Sequence, residues 1–341
     1  MLRRVIAAAG LACMFALIGG SGTVSADSSR TDLKNFQHVF VIMMENTGVD
    51  ALIGNANAPW INSAVATYGY ATNYFGVTHP SQPNYIGITS GSTNGVTNDN
   101  DAIINVANIA DQIEASGRTW KSYNQSLSLC NGNVLAHACG NQLYERKHNP
   151  FVTYQDIQTN PARLANNVDL TQLDADLASG NVPDYSFIDP DQCHDMHGRF
   201  NGAKPDTDPC SFNHVQSTIA AGDAFLKDTV GKIMSSSAWT GNSVIFIQWD
   251  ESDFTNSGPI GFGDTSGCCD SPTLNGKLNG GGHVVSLVIS HSNHTAVTSD
   301  IAYNHYSVLR TIQEGWQLGC LANTCDVANV PAMDALTGPR G

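Results

Sequence analysis

Lysine and arginine are scarce in this chain: 16, against 30 aspartates and glutamates, for a formal charge of −14 over 341 residues. An acidic surface repels phosphate backbones and anionic membranes, so nucleic-acid binding through a basic patch is not expected. No apolar run reaches the ~20 residues that a bilayer crossing needs, and stable membrane insertion is not expected either. The Cys-x-x-Cys spacing of structural zinc sites is missing. So are internal repeats and Pro- or Gly/Ser-rich linkers, which favours one domain over two.

The first residues have a purpose of their own. Arg3 and Arg4 precede an apolar run from Val5 to Ile18, and small residues lead to Val24-Ser25-Ala26 before Asp27. A positive end, a short apolar centre and a small-residue boundary make a secretory signal. The expectation is a cleaved leader over 1–26, an exported protein, and a single catalytic domain over 27–341. Cys13 sits inside the apolar centre; of nine cysteines, eight remain beyond it. An even number in an exported chain suggests disulfides. Cys130 with Cys139, Cys193 with Cys210 and Cys320 with Cys325 would close short loops, leaving Cys268-Cys269 as a rare vicinal pair. Spacing alone does not fix this pairing.

Apolar runs at His38–Met44, Tyr185–Ile188, Val244–Ile247 and Val284–Ile289 read as strands covered on both faces, as in a parallel sheet. Helix candidates lie between and after them, at Ala58–Thr67, Asn105–Ala115, His214–Met234 and Tyr303–Trp316. Strand alternating with helix predicts an α/β sandwich with a mostly parallel central sheet. Ser126–Asn149 and Pro190–Asn213 interrupt the alternation, and loops of that length are commonly functional.

In open α/β sheets ligands bind beyond the carboxyl ends of the strands. Glu45-Asn46 follow the first strand, and a later extended stretch leads to His79-Pro80-Ser81-Gln82-Pro83-Asn84-Tyr85. Asp189 to His197 follow the Tyr185 strand, with Asp250-Glu251 after the Val244 strand. Each piece has a bland explanation. Glu45-Asn46 suit a cap or turn, Asp250-Glu251 a solvated loop start, Ser81 an N-cap, and His194 and His197 a surface or a transition-metal site. Their convergence on one edge is more specific than any piece.

Met-Met-Glu-Asn (43–46), His-Pro-Ser-Gln-Pro-Asn-Tyr (79–85), Arg-Lys-His (146–148), Asp-Met-His (195–197), Trp-Asp-Glu (249–251) and Asn-His-Tyr-Ser-Val-Leu (304–309) occur in that order. This series resembles the bacterial phosphoesterase family of secreted acid phosphatases and phospholipases C, within the alkaline phosphatase superfamily. The closest likeness is to short actinobacterial acid phosphatases, which include phosphatidylinositol-3-phosphate phosphatases. The resemblance implies an alkaline phosphatase-like three-layer sandwich. It implies metal binding by Glu45, Asn46, Ser81, Asp250 and Glu251, with Ser81 also the nucleophile. By the same resemblance, His148 and His197 surround the phosphoryl group and His305 belongs to the C-terminal motif. Asp191 and His194 are further ligand candidates, and the segment after His197 carries a disulfide-bearing insertion.

A phosphate monoester resists anionic nucleophiles, so the protein must supply positive charge and alignment. Glu45, Asp250 and Glu251 would hold a divalent cation; oxygen ligands favour Mg or Ca, and histidine participation shifts this toward Mn, Zn or Fe. The expected activity is an acid phosphatase acting on a small phosphorylated substrate or a phosphoinositide head group through a phosphoserine. Alternatives are a phospholipase C-type diesterase, a nuclease or sulfatase, and a secreted binding protein without turnover. His38, His79, His137, His214, His283, His291 and His294 are expected to be exposed or structural.

Overall fold

Six apolar residues, Val39–Met44, form strand β1 in the interior of the sheet, and all are buried. In this computed structural model, residues 35–200, 207–252, 263–292 and 295–337 are described. The expected leader with its boundary at Asp27, and His294, lie outside them. The other strands of the main sheet are β2 (Gly69–Ala71), β3 (Trp120–Asn124), β4 (Asn167–Asp169), β5 (Tyr185–Asp189), β6 (Val244–Trp249), β7 (Ser286–Ser290) and β8 (Val297–Ser299). Their spatial order is β8-β2-β7-β6-β1-β5-β3-β4.

Every strand but β7 runs in the direction of β1; β7 pairs antiparallel with both β6 and β2. The Val284 run was expected as a member of a parallel sheet, and it reverses for a local reason. A parallel neighbour needs a crossover element. Between β6 and β7 the described residues hold only a small hairpin, Thr273–Leu274 with Lys277–Leu278.

The longer helices are α1 (Pro59–Val65), α2 (Ser81–Ser90), α3 (Ile109–Ala115), α4 (Thr171–Ser179), α5 (Val215–Met234) and α6 (His305–Trp316). Helix α5 packs on α1 and α4, whereas α2 packs on α3 and α6. Two separate helix groups around a sheet buried on both faces make three layers. Local chemistry sets the helix starts. Asn108 caps α3 with Asp111 answering three residues on, and Asn304 caps α6 with Ser307. The expected helices at 105–115 and 303–316 therefore begin a few residues late, at their Asn caps.

Disulfides join Cys130–Cys139, Cys193–Cys210, Cys268–Cys269 and Cys320–Cys325, the pairing that loop length suggests. Among the described residues no helix is long and apolar enough to cross a membrane.

Candidate active site

Register places the first acids. Met44 of β1 lies beside Trp249 of β6, so Glu45 and Asp250 emerge together as the strands end. The Asp250 backbone N–H donates to the Met44 carbonyl at 2.9 Å, and Glu45 N–H to the Asp195 carbonyl at 2.8 Å. Asn46 has φ of 31°, in the left-handed region that asparagine tolerates better than most side chains. This turn aims its backbone N–H at Asp250 Oδ1 and its amide Nδ2 at Glu251 Oε1, both at 3.0 Å. Glu45, Asp250 and Glu251 are all 0% exposed, so a solvated loop start does not describe Asp250-Glu251.

Ser81 is the first residue of α2, with Pro80 at the cap position. Its hydroxyl does not cap the helix. It faces Glu45 Oε2 at 3.0 Å, Glu251 Oε1 at 3.2 Å and Asn46 Oδ1 at 3.4 Å. The segment leading to it lies against the β6 terminus because Gly76 has no side chain; a Cβ there would strike the Asp250 carbonyl and Gly281. Tyr85, one turn along α2, stacks on His148 with ring centroids 5.1 Å apart.

The histidines divide by position. His148 is buried, with Nε2 3.2 Å from Glu45 Oε1 and Nδ1 3.4 Å from the Gln192 amide. Burial, with help from Lys147, holds its pKa well below the ordinary value. His197 is half-buried and donates through Nδ1 to the Gly198 carbonyl. Its backbone N–H donates to Asp195 Oδ1 at 2.8 Å. Burial and then Lys147 push its pKa down to about 4. His305 lies behind Asp250: Nε2–H donates to the Asp250 carbonyl at 2.7 Å, and Nδ1 accepts from the Tyr74 hydroxyl at 2.8 Å. With both nitrogens engaged and its pKa lowered to about 4 by burial, this ring is locked neutral as a support of the β6 terminus. Asp191 and His194 pair with each other at 2.7 Å, and Ser126 donates to the other Asp191 oxygen at 2.7 Å. They form a network of their own.

Three participants carried no role in the sequence reading. His79, expected to be exposed or structural, pairs through Nδ1 with Glu251 Oε2 and donates through Nε2 to the Asp264 carbonyl. Burial pulls its pKa down, and the bond to Glu251 more than offsets this, so the net shift is upward. Asp195 is buried with Oδ2 3.8 Å from His148 Nδ1. Lys147 binds Asp99 at 2.8 Å. The usable signals were the position of His79 inside the Ser81 motif and of Lys147 beside His148.

The cluster's charge is unbalanced. Burial and then Asp250 raise the Glu45 pKa well above the carboxylate range; burial and then Glu251 do the same to Asp250. Asp250 Oδ2 is buried with no hydrogen-bond partner. Buried carboxylates are ordinarily paired or bound to metal, so this oxygen-rich set fits a divalent cation. Among the described residues no three His, Cys, Asp or Glu side chains stand as a formed coordination shell; their oxygens are turned to Ser81, Asn46, His79 and His148.

The Phosphoesterase family profile matches residues 55–319, with Glu45 and Asn46 just upstream. A probable acid phosphatase of Kluyveromyces lactis is 25% identical over 307 residues, covering 86% of this chain and 62% of that protein. A phosphatidylinositol-3-phosphatase of Mycobacterium tuberculosis is 29% identical over 231 residues, covering 67% of this chain and 68% of that one. The chain spans about three fifths of the length of the curated fungal acid phosphatases it matches. A solved protein of the alkaline phosphatase superfamily from Vibrio parahaemolyticus superposes with a TM-score of 0.50 at 14% identity, covering 85% of this chain and 69% of that chain. The fold is thus that of the alkaline phosphatase superfamily, and the chain belongs to the Phosphoesterase family.

Proposed function

We propose that this protein is a metal-assisted phosphoesterase that hydrolyses small phosphomonoesters through a phosphoserine at Ser81. The observation that carries the reading is the Ser81 hydroxyl, buried at a helix start and shared among Glu45, Glu251 and Asn46. A divalent cation held by Glu45, Asn46, Ser81, Asp250 and Glu251 would neutralise phosphoryl oxygens and favour the ionised serine. Oxygen ligands favour a hard ion such as Mg or Ca.

The chain's own groups do the rest. Ser81 Oγ bonds to phosphorus as the bond to the leaving alcohol's oxygen breaks, and the serine proton passes to Glu45 or Glu251, which already accept its hydrogen bond. The leaving oxygen takes a proton from solvent or, in the acid range, from His197. Water then cleaves the phosphoserine, restoring the hydroxyl and releasing orthophosphate. His148 holds Glu45, and His305 holds the Asp250 backbone. The phosphoinositide named for the mycobacterial relative is the substrate class to test first. The disulfides support export, with 1–26 as a cleaved leader and 27–341 as one catalytic domain.

Ser81→Ala should still fold, since losing one buried hydrogen-bond donor costs about 1–3 kcal/mol, while phosphate release falls by orders of magnitude. A folded variant that keeps more than about a tenth of the rate, a barrier change under ~1.4 kcal/mol, would remove Ser81 from the reaction.

A further inference from the structure

Arg146–His148 is a single 3-10 turn packed against α2, and its side chains part ways. His148 turns inward to Glu45. Arg146 turns aside, 3.3 Å from Asp101 and donating to the Val152 carbonyl at 3.2 Å. Lys147 lies between them, its side chain only 16% exposed, with Nζ 2.8 Å from Asp99 Oδ2. The other oxygen of Asp99 accepts the backbone N–H of Gln82 at 3.0 Å. One carboxylate therefore ties the ammonium to the residue that follows Ser81.

Location decides what this lysine can do. Burial works to discharge it, but Asp99, Glu45 and Glu251 together more than offset this, so the net shift is upward and favours the ammonium form. An exposed Lys–Asp pair contributes little to stability. This one is mostly buried and its field reaches the carboxylates around Ser81. Glu45, Asp250 and Glu251 place three carboxyl groups in a fully buried space; when all three are ionised, one divalent cation offsets two of the charges. A dianionic phosphoryl group then still needs a cation, whereas a diester brings a single charge.

We infer that Lys147, held by Asp99, is the cation that receives the phosphoryl oxygens at Ser81 and biases the site toward dianionic monoesters over monoanionic diesters. This rests on the phosphoesterase reading and names its substrate class. Lys147 is the catalytic group and Asp99 the positioning residue that acts through it.

The test compares para-nitrophenyl phosphate with bis-para-nitrophenyl phosphate in the full chain, with metal content measured for each variant. Lys147→Met should lower kcat/KM for the monoester about 100-fold, the usual cost of one preorganised charge partner. The diester should fall only about 10-fold, because electrostatic energy scales with charge. Inhibition by orthophosphate should weaken while metal content holds. Lys147→Arg should keep most of the monoester preference. Asp99→Asn should shift it in the same direction as Lys147→Met, and the two changes should not add. An unchanged ester ratio in folded Lys147→Met, or an equal loss on both esters, overturns the inference. If the wild-type protein turns over neither ester, the phosphoesterase reading fails first. Calorimetric binding of orthophosphate then decides about Lys147, and equal affinity in wild type and Lys147→Met rejects it.

Discussion

Around Arg163, the carboxylates of Asp111, Glu114 and Asp156 gather on one guanidinium, with Asp111 at 2.7 Å and Glu114 at 3.1 Å. Around Ser81, the carboxylates of Glu45 and Glu251 gather on one hydroxyl, Asp250 accepts from the Asn46 and Glu251 backbone, and among the described residues no lysine or arginine forms an ion pair with the three acids. The first cluster is partly solvated, its acids 32–39% exposed; the second is fully buried. Where acids join one part of the surface to another, the chain supplies its own counter-charge. Where they line the site, the charge is left for a ligand to balance, although burial makes the imbalance more costly there.

The largest expected effect comes from removing the imbalance. Asp250→Asn with Glu251→Gln should abolish phosphate release and lower bound metal, because amides are poorer ligands for a hard cation. The metal-free variant should melt higher than metal-free wild type, since buried like charges no longer repel. Elemental analysis beside calorimetry reads both; equal metal content and equal rates would reduce the cluster to ordinary structure.

The histidines extend the contrast. His305→Ala strands the Tyr74 hydroxyl and the Asp250 carbonyl and opens a cavity, at a cost of roughly 2–4 kcal/mol in denaturant unfolding. His197→Ala, at a half-buried ring hydrogen-bonded to the Gly198 carbonyl, should cost about 1 kcal/mol and act on rate instead, most strongly at acid pH. The reverse ranking would place His197 in the support and His305 at the reaction.

Acid should act on these carboxylates in the same sense as a bound cation. Folded-state pKa values of Glu45 and Asp250 are raised. Their contribution to metal-free stability is therefore full below the usual carboxylate range and lost as pH rises through the raised values. Added Mg or Ca should raise Tm more at pH 7 than at pH 5, where protons compete for the same oxygens. A metal-induced shift independent of pH speaks against these carboxylates as ligands. The smallest effect belongs to the paired cluster: Arg163→Met should cost about 1–2 kcal/mol and leave kcat/KM unchanged. A rate loss without unfolding would couple the two clusters.

Much of this site was legible because its parts follow recognisable strands. Val39–Met44 and Val244–Ile247 are apolar without interruption, so Glu45 and Asp250 could be placed just beyond strand ends from the sequence alone. Short strands escaped notice; Asn167–Asp169 offers three residues and no apolar run. Asp99 was invisible for another reason. It lies in the polar stretch Asn98-Asp99-Asn100-Asp101, with no period to mark it, and meets Gln82 and Lys147 only after the chain folds back. His305 shows the limit of motif order: the sequence located it near the site, but only packing shows it behind Asp250 with both nitrogens engaged.

The most direct measurement is an acid quench of the metal-loaded protein during turnover of a phosphomonoester, followed by peptide mass spectrometry. A phosphoryl group should appear on the Ser81 hydroxyl within one turnover and be absent from Ser81→Ala. Turnover with unmodified Ser81, or with the phosphoryl group on a histidine instead, would contradict a serine nucleophile at this cluster.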